Sequence, residues 1–147
     1  PLLLAVAAPL AFALVALAIP SERVRPWPLP VAALVQIPVL ALLVRSSAPA
    51  AAQSWLGFDP LGTLLLGYLT VFFLCCACYA PAYLRLRAER PNRIFCTMLL
   101  VCFAMMNLLG ISQHVGLMWV AIEATTLSTG PLLYFNHNPR SIEATWK

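Results

Sequence analysis

Gly116-Leu117-Met118-Trp119-Val120-Ala121-Ile122-Glu123-Ala124-Thr125-Thr126-Leu127-Ser128-Thr129-Gly130-Pro131-Leu132-Leu133-Tyr134-Phe135 is an apolar run with one acid near its middle. A run of about 20 such residues, wound as a helix, covers roughly 30 Å of hydrocarbon. Glu123 lies within about three positions of the midpoint, and a carboxylate there costs a few kcal/mol at least. Whether this run crosses a membrane, and what its acid does, decides the reading of the whole chain.

Composition answers the first question. The chain has 147 residues, of which 62% are hydrophobic and 10% charged, with a mean hydropathy of +0.87. Water-soluble domains carry about a quarter charged residues. Charge this sparse cannot coat a water-facing surface, which excludes a soluble enzyme and implies a lipid bilayer as the surrounding phase. The net charge of +4 does not indicate nucleic acid, because the arginines stand between apolar runs and form no aromatic-interleaved patch. The apolar start, residues 1–19, has no basic leader or clear cleavage site, and is expected to be a span that continues from an earlier segment rather than a signal peptide. The five cysteines, Cys75, Cys76, Cys78, Cys96 and Cys102, all fall in apolar runs. Metal sites pair Cys or His ligands at loop spacings; these cysteines are expected to be small packing residues. No metal or cofactor is expected.

Taken in order, the expected spans are residues 2–19, 27–44, 61–84, 94–111 and 116–135, with a sixth helix opening near 139. The expected fold is therefore all-α: one polytopic transmembrane bundle over residues 1–147. Asp59-Pro60 reads as an N-cap followed by proline at the first helical position. Trp55 and Phe58 precede it at headgroup depth. The loops after spans one, three and five hold Arg23, Arg25, Arg85, Arg87, Arg90, Arg93 and Arg140, whereas those after spans two and four hold only Arg45. Basic loops stay in the cytoplasm, so the N-terminus is expected outside.

Glu123 is the one acid inside a span. Trp119 and Thr126 share its helical face, and Gly130 follows a turn on. In hydrocarbon a carboxyl must be protonated or partnered. It is expected to be buried among the helices, either as a proton-relay group or as an interhelical hydrogen-bonding acid that only holds a bundle together. Lys147 sits about seven residues into the sixth helix, roughly 10 Å from the basic edge, while Glu123 lies roughly 18 Å from it. Lys147 either reaches Glu123 through water or pairs with Glu143, four residues back on its own helix. His114, in the short turn before the fifth span, is expected to be either a point of proton access, the role an imidazole side chain suits, or simply solvated; His137, in the loop after that span, has the same two readings.

The segment from Trp119 to Ser128, followed by Pro139-Arg140-Ser141-Ile142-Glu143-Ala144-Thr145-Trp146-Lys147, resembles the antiporter-like membrane subunits shared by respiratory complex I (NADH–quinone oxidoreductase), Mrp-type cation/proton antiporters and membrane-bound nickel–iron hydrogenases. It is most similar to the F-subunit branch of hydrogenase-4 and formate hydrogenlyase. Phe58-Asp59-Pro60-Leu61-Gly62 matches as well. The resemblance implies a bundle of about 14 helices containing inverted repeats, of which this chain would be the N-terminal part. It implies that Glu123 is the essential glutamate of the fifth span and Lys147 a lysine on the proton path. It implies no redox centre in the chain itself. The partners would be other membrane subunits and a peripheral hydrogenase or dehydrogenase arm, in a bacterial or archaeal cell membrane. The alternatives are a non-catalytic anchor or assembly subunit, and a subunit of a cation/proton antiporter or bicarbonate-uptake complex.

Overall fold

The structure is a computed structural model that describes residues 2–45, 55–57, 59–86, 91–135 and 143. Five helices make it up: α1 (Leu4–Ala18), α2 (Pro28–Arg45), α3 (Pro60–Leu86), α4 (Arg93–Ile111) and α5 (Val115–Tyr134). Each expected span is a helix, with boundaries displaced by no more than about two residues, the usual fraying of helix ends. No strand is present among the described residues; a single antiparallel bridge joins Leu56 to Ser112.

The expectation of five complete spans is met only in part. Three helices, α2, α3 and α4, are both long and apolar enough to cross a membrane. The 15 residues of α1 reach about 22 Å, short of a typical hydrocarbon core. The 20 residues of α5 are long enough, but Glu123 and the hydroxyls after it dilute its hydropathy. The expected start of a sixth helix near 139, with Lys147, lies outside the described residues apart from Glu143, as do Phe58, Arg87, Arg90, His137 and Arg140.

Asp59 caps α3 as its sequence indicates: its Oδ1 accepts from the Gly62 N–H at 2.8 Å, and Pro60, which lacks an N–H, opens the helix. Proline also lies inside α1, at Pro9, where it removes the donor that would serve the Ala5 carbonyl. Gln36 of α2 replaces that donor, its Nε2 reaching Ala5 O at 3.3 Å. A neighbouring helix thus repairs the gap, as a lipid environment demands.

Helices α1 to α4 form a ring in which α1 packs on α2 and α4, and α3 on α2 and α4; α5 lies outside, chiefly against α4. One half of the ring is built on small residues. Ala13, Ala16, Ala32, Ala33, Ala77 and Ala80 are buried together with Leu100 and the parallel rings of Phe73 and Phe103, 3.8 Å apart. In lipid, helices associate through close van der Waals contact, which small side chains permit. The other half holds Val6, Leu66, Ala104 and Ile111. Outside the ring, large apolar side chains such as Leu14, Leu64, Val71 and Leu127 are exposed. An uncovered apolar belt of this kind belongs in a bilayer or against a partner.

Each end of the ring is closed by polar contacts. At one end, Arg25 lies buried in the α1–α2 loop. Its Nε and Nη2 donate to Ile19 O at 3.0 and 2.7 Å, Nη2 also donates to Pro20 O, and Nη1 donates to Asn92 Oδ1 at 2.7 Å. Asn92 Nδ2 in turn donates to Glu22 O. At the other end, Gln113 N donates to Trp55 O, Gly57 N donates to Ile111 O, and the Trp55 ring stacks on His114 at 4.6 Å. Consecutive helices therefore run antiparallel. Arg23, Arg25, Arg85 and Arg93 share one end, and Arg45 and Asp59 belong to the other.

At that second end α3 and α4 cross at Gly62 and Gly110. A Cβ on Gly62 would stand 2.5 Å from Gly110 O and 2.6 Å from Asp59 Oδ1, the atom that caps the helix. Backbone cannot retreat as a flexible side chain does. Gly62→Ala is expected to destabilise the fold by about 1–3 kcal/mol, seen as a lower thermal midpoint in detergent; an unchanged midpoint would show that the two helices do not approach so closely.

Candidate functional site

Helix α5 meets α4 along one stripe. Ala121 and Ser128 are buried, with Leu117, Ala124, Pro131 and Phe135 half-buried on the same line, a repeat of alternating three and four residues. Phe135 carries that contact to Phe95 at the start of α4, with ring centres 4.9 Å apart. Glu123 falls on the opposite side of the helix and is exposed, as are Trp119 and Thr126, its neighbours one turn away. The three residues share a face, as their spacing requires, but the ring does not cover it. Glu123 makes no hydrogen bond or ion pair among the described residues.

The hydroxyls around the acid do not serve it. Thr125 and Thr126 both donate to Ile122 O, at 2.7 and 3.0 Å; Ser128 donates to Thr125 O and Thr129 to Thr126 O. Each donor is satisfied by the carbonyl three or four residues back on its own helix. The polar content of α5 is thereby compatible with an apolar surrounding, with Glu123 as the exception.

His114 is the N-cap of α5: its Nδ1 accepts from Gly116 N at 3.1 Å while the ring stacks on Trp55. That fixes its tautomer, since an accepting Nδ1 leaves the proton on Nε2. His114 is thus a capping residue held in a polar turn, more constrained than a solvated loop histidine. It stands nine positions from Glu123, about 14 Å along the axis, so the two are not brought together. Lys147 lies outside the described residues.

Among the cysteines, Cys96 and Cys102 are buried, as expected of packing residues, but Cys75 and Cys78 are exposed on the outer side of α3 while Ala77 between them faces the core. Cys76 is half-buried, and helical spacing accounts for the pattern: residues one and two positions from a buried residue are turned about 100° and 200° away from it.

Two polar side chains inside the ring escaped the sequence reading. Gln36 and Asn107 are almost wholly buried, 1% and 0% exposed. Beyond the Gln36 bond to Ala5, neither Gln36 Oε1 nor either polar side-chain atom of Asn107 has a hydrogen bond among the described residues. The signal was available: each is the single amide in an otherwise apolar helix. A buried amide without a partner costs about 1–3 kcal/mol.

No known protein family, characterised protein or solved structure matches the chain.

Asn107→Leu, which keeps the four-heavy-atom side chain branched at Cγ and removes the unpaired amide, is expected to raise stability by about 1 kcal/mol, read as a higher midpoint in thermal unfolding in detergent. A lower midpoint would show that the amide has partners worth keeping.

Proposed function

We propose that the chain is a proton-translocating, antiporter-like subunit of a hydrogenase-4-like or complex I-like membrane complex, multi-pass in a bacterial or archaeal cell membrane. The observation that carries this reading is Glu123: a carboxyl at the middle of a membrane-length helix, beside hydroxyls already committed to their own backbone. Such a group cannot remain ionised in an apolar layer unaided. It takes up a proton when alone and releases it when a cation approaches, so a moving lysine would drive uptake and release in alternation. Lys147, which follows α5 in the sequence, is the proposed cation. The likeness of the segment around Glu123 to the antiporter-like subunits supports the same assignment. The clustering of Arg23, Arg25, Arg85 and Arg93 at one end supports an orientation with that end in the cytoplasm, the N-terminus outside and α1 and α5 crossing with the other three helices. The chain carries the ion, and a peripheral hydrogenase or dehydrogenase arm supplies the energy.

The second reading is an anchor or assembly subunit, and the exposure of Glu123 favours it: an outward acid with no internal partner suits a hydrogen bond to a neighbouring subunit. The two readings separate on Glu123→Gln in the intact complex. For a relay, coupled proton movement measured in vesicles falls more than about tenfold while electron transfer in the peripheral arm persists. For an anchor, transport is unchanged, and Glu123→Leu instead lowers the yield of assembled complex. Normal pumping by the glutamine variant sinks the relay.

A further inference from the structure

The basic end of the ring contains a cavity of about 510 Å³ between the α1–α2 loop and the last turns of α3. Arg23 and Arg85 line it from opposite elements, with Ser21, Glu22 and Asn92 beside them and Pro26, Pro81 and Leu84 forming an apolar wall. Neither Arg23 nor Arg85 makes a hydrogen bond or ion pair among the described residues, and both are exposed. The acid in the cavity does not neutralise them. Glu22 is turned towards the buried Arg25, its Oε1 4.0 Å from Nη1. The Asn92 side chain is fixed by its bonds to Arg25 and Glu22, so the floor of the cavity is rigid. Among the described residues that line the cavity, two arginines against one glutamate leave a local excess of positive charge. The wall is also informative. At 27 residues α3 is about 40 Å long, more than a bilayer core, so its last turns stand at headgroup depth. Pro81 and Leu84 there would meet glycerol and the first methylenes of a lipid, while the two guanidinium groups offer planar forks suited to phosphate oxygens.

We propose that this cavity binds the phosphate group of an anionic phospholipid, held between Arg23 and Arg85. The assignment rests on the membrane reading above but not on proton transport. The phosphate could also arrive on a small soluble molecule, and the experiment distinguishes the two. The full chain is purified in detergent, and binding of phosphatidylglycerol, phosphatidylcholine and inorganic phosphate is followed by native mass spectrometry, for the parent and for the Arg23→Gln/Arg85→Gln double variant. The expected result is preferential retention of phosphatidylglycerol, about 30-fold weaker in the double variant, or roughly fivefold per arginine. Inorganic phosphate bound with the same dependence on both arginines upholds the phosphate site and assigns it to a soluble ligand. Equal retention of the two lipids, or equal binding by parent and variant, overturns the proposal. Circular dichroism of the variant guards against misfolding: a helical variant that has lost the lipid supports the site. The membrane reading is tested separately, because a chain released from native vesicles by alkaline carbonate refutes insertion, whereas an inserted chain that ignores phosphate refutes only the site.

Discussion

The architecture depends on one buried guanidinium. Where α1 stops at Ala18, the carbonyls that follow have no helical donors, and Pro20 and Pro26 hold the chain out of helix. Arg25 folds back over them with a planar set of N–H groups, satisfying Ile19 O and Pro20 O and reaching across to Asn92. A lysine could not span these acceptors together, because its donors radiate from a single point. Through Asn92 the same arginine fixes where α4 begins. Since α4 touches α1, α3 and α5, its placement determines the rest. In a chain with so few charges, nearly all the directional bonding is concentrated at the two ends, and the long middle is left to shape.

That division explains why α5 behaves differently from the other helices. The ring gives α1 to α4 two neighbours each, while α5 has one principal neighbour and buries only a narrow stripe. A helix held on one side presents its other side to lipid or to protein. Lipid tolerates Trp119, Val120 and Leu127 there, but not an ionised Glu123. The acid is therefore the point at which the surface of α5 ceases to be self-sufficient, whichever of the two functional readings holds.

The helices were legible because their limits are set by strong local signals: Asp59-Pro60 before α3, the arginines around the α3–α4 loop, and apolar runs of membrane length. Registers of packing were less so. Nothing in the local sequence tells a reader that Arg25 turns inward while Arg23, two residues earlier, stays outside, since both are loop arginines by composition. The distinction comes from Asn92, some 70 residues away. The exposure of Glu123 among the described residues differs from the expected burial for a related reason. A carboxyl inside an apolar run is expected to face a bundle's interior, but facing is set by which stripe of α5 best matches α4. The small residues Ala121, Ala124 and Ser128 provide that stripe, on the side away from the acid. Asn107 and Gln36 were passed over because uncharged amides barely disturb hydropathy, although inside a ring they matter as much as the charges do.

The position of Glu123 along its helix adds one constraint to any role it has. Towards the His114 end its helix offers, over about 14 Å, one polar group, the Trp119 indole N–H, which can only donate; the other side chains there are apolar. Towards the arginine end it offers Thr125, Thr126, Ser128 and Thr129 within two turns. Their protons are committed to backbone carbonyls, yet each hydroxyl oxygen keeps a lone pair that can accept a hydrogen bond. Polar capacity along α5 is thus one-sided, and the acid stands at its inner limit. Under the relay reading, a proton reaching Glu123 along this helix would come from the end that carries Arg25, while passage to the opposite end would need groups from another element. A two-sided path cannot be built from α5 alone, and the uncovered face of the helix is where the remaining groups must approach.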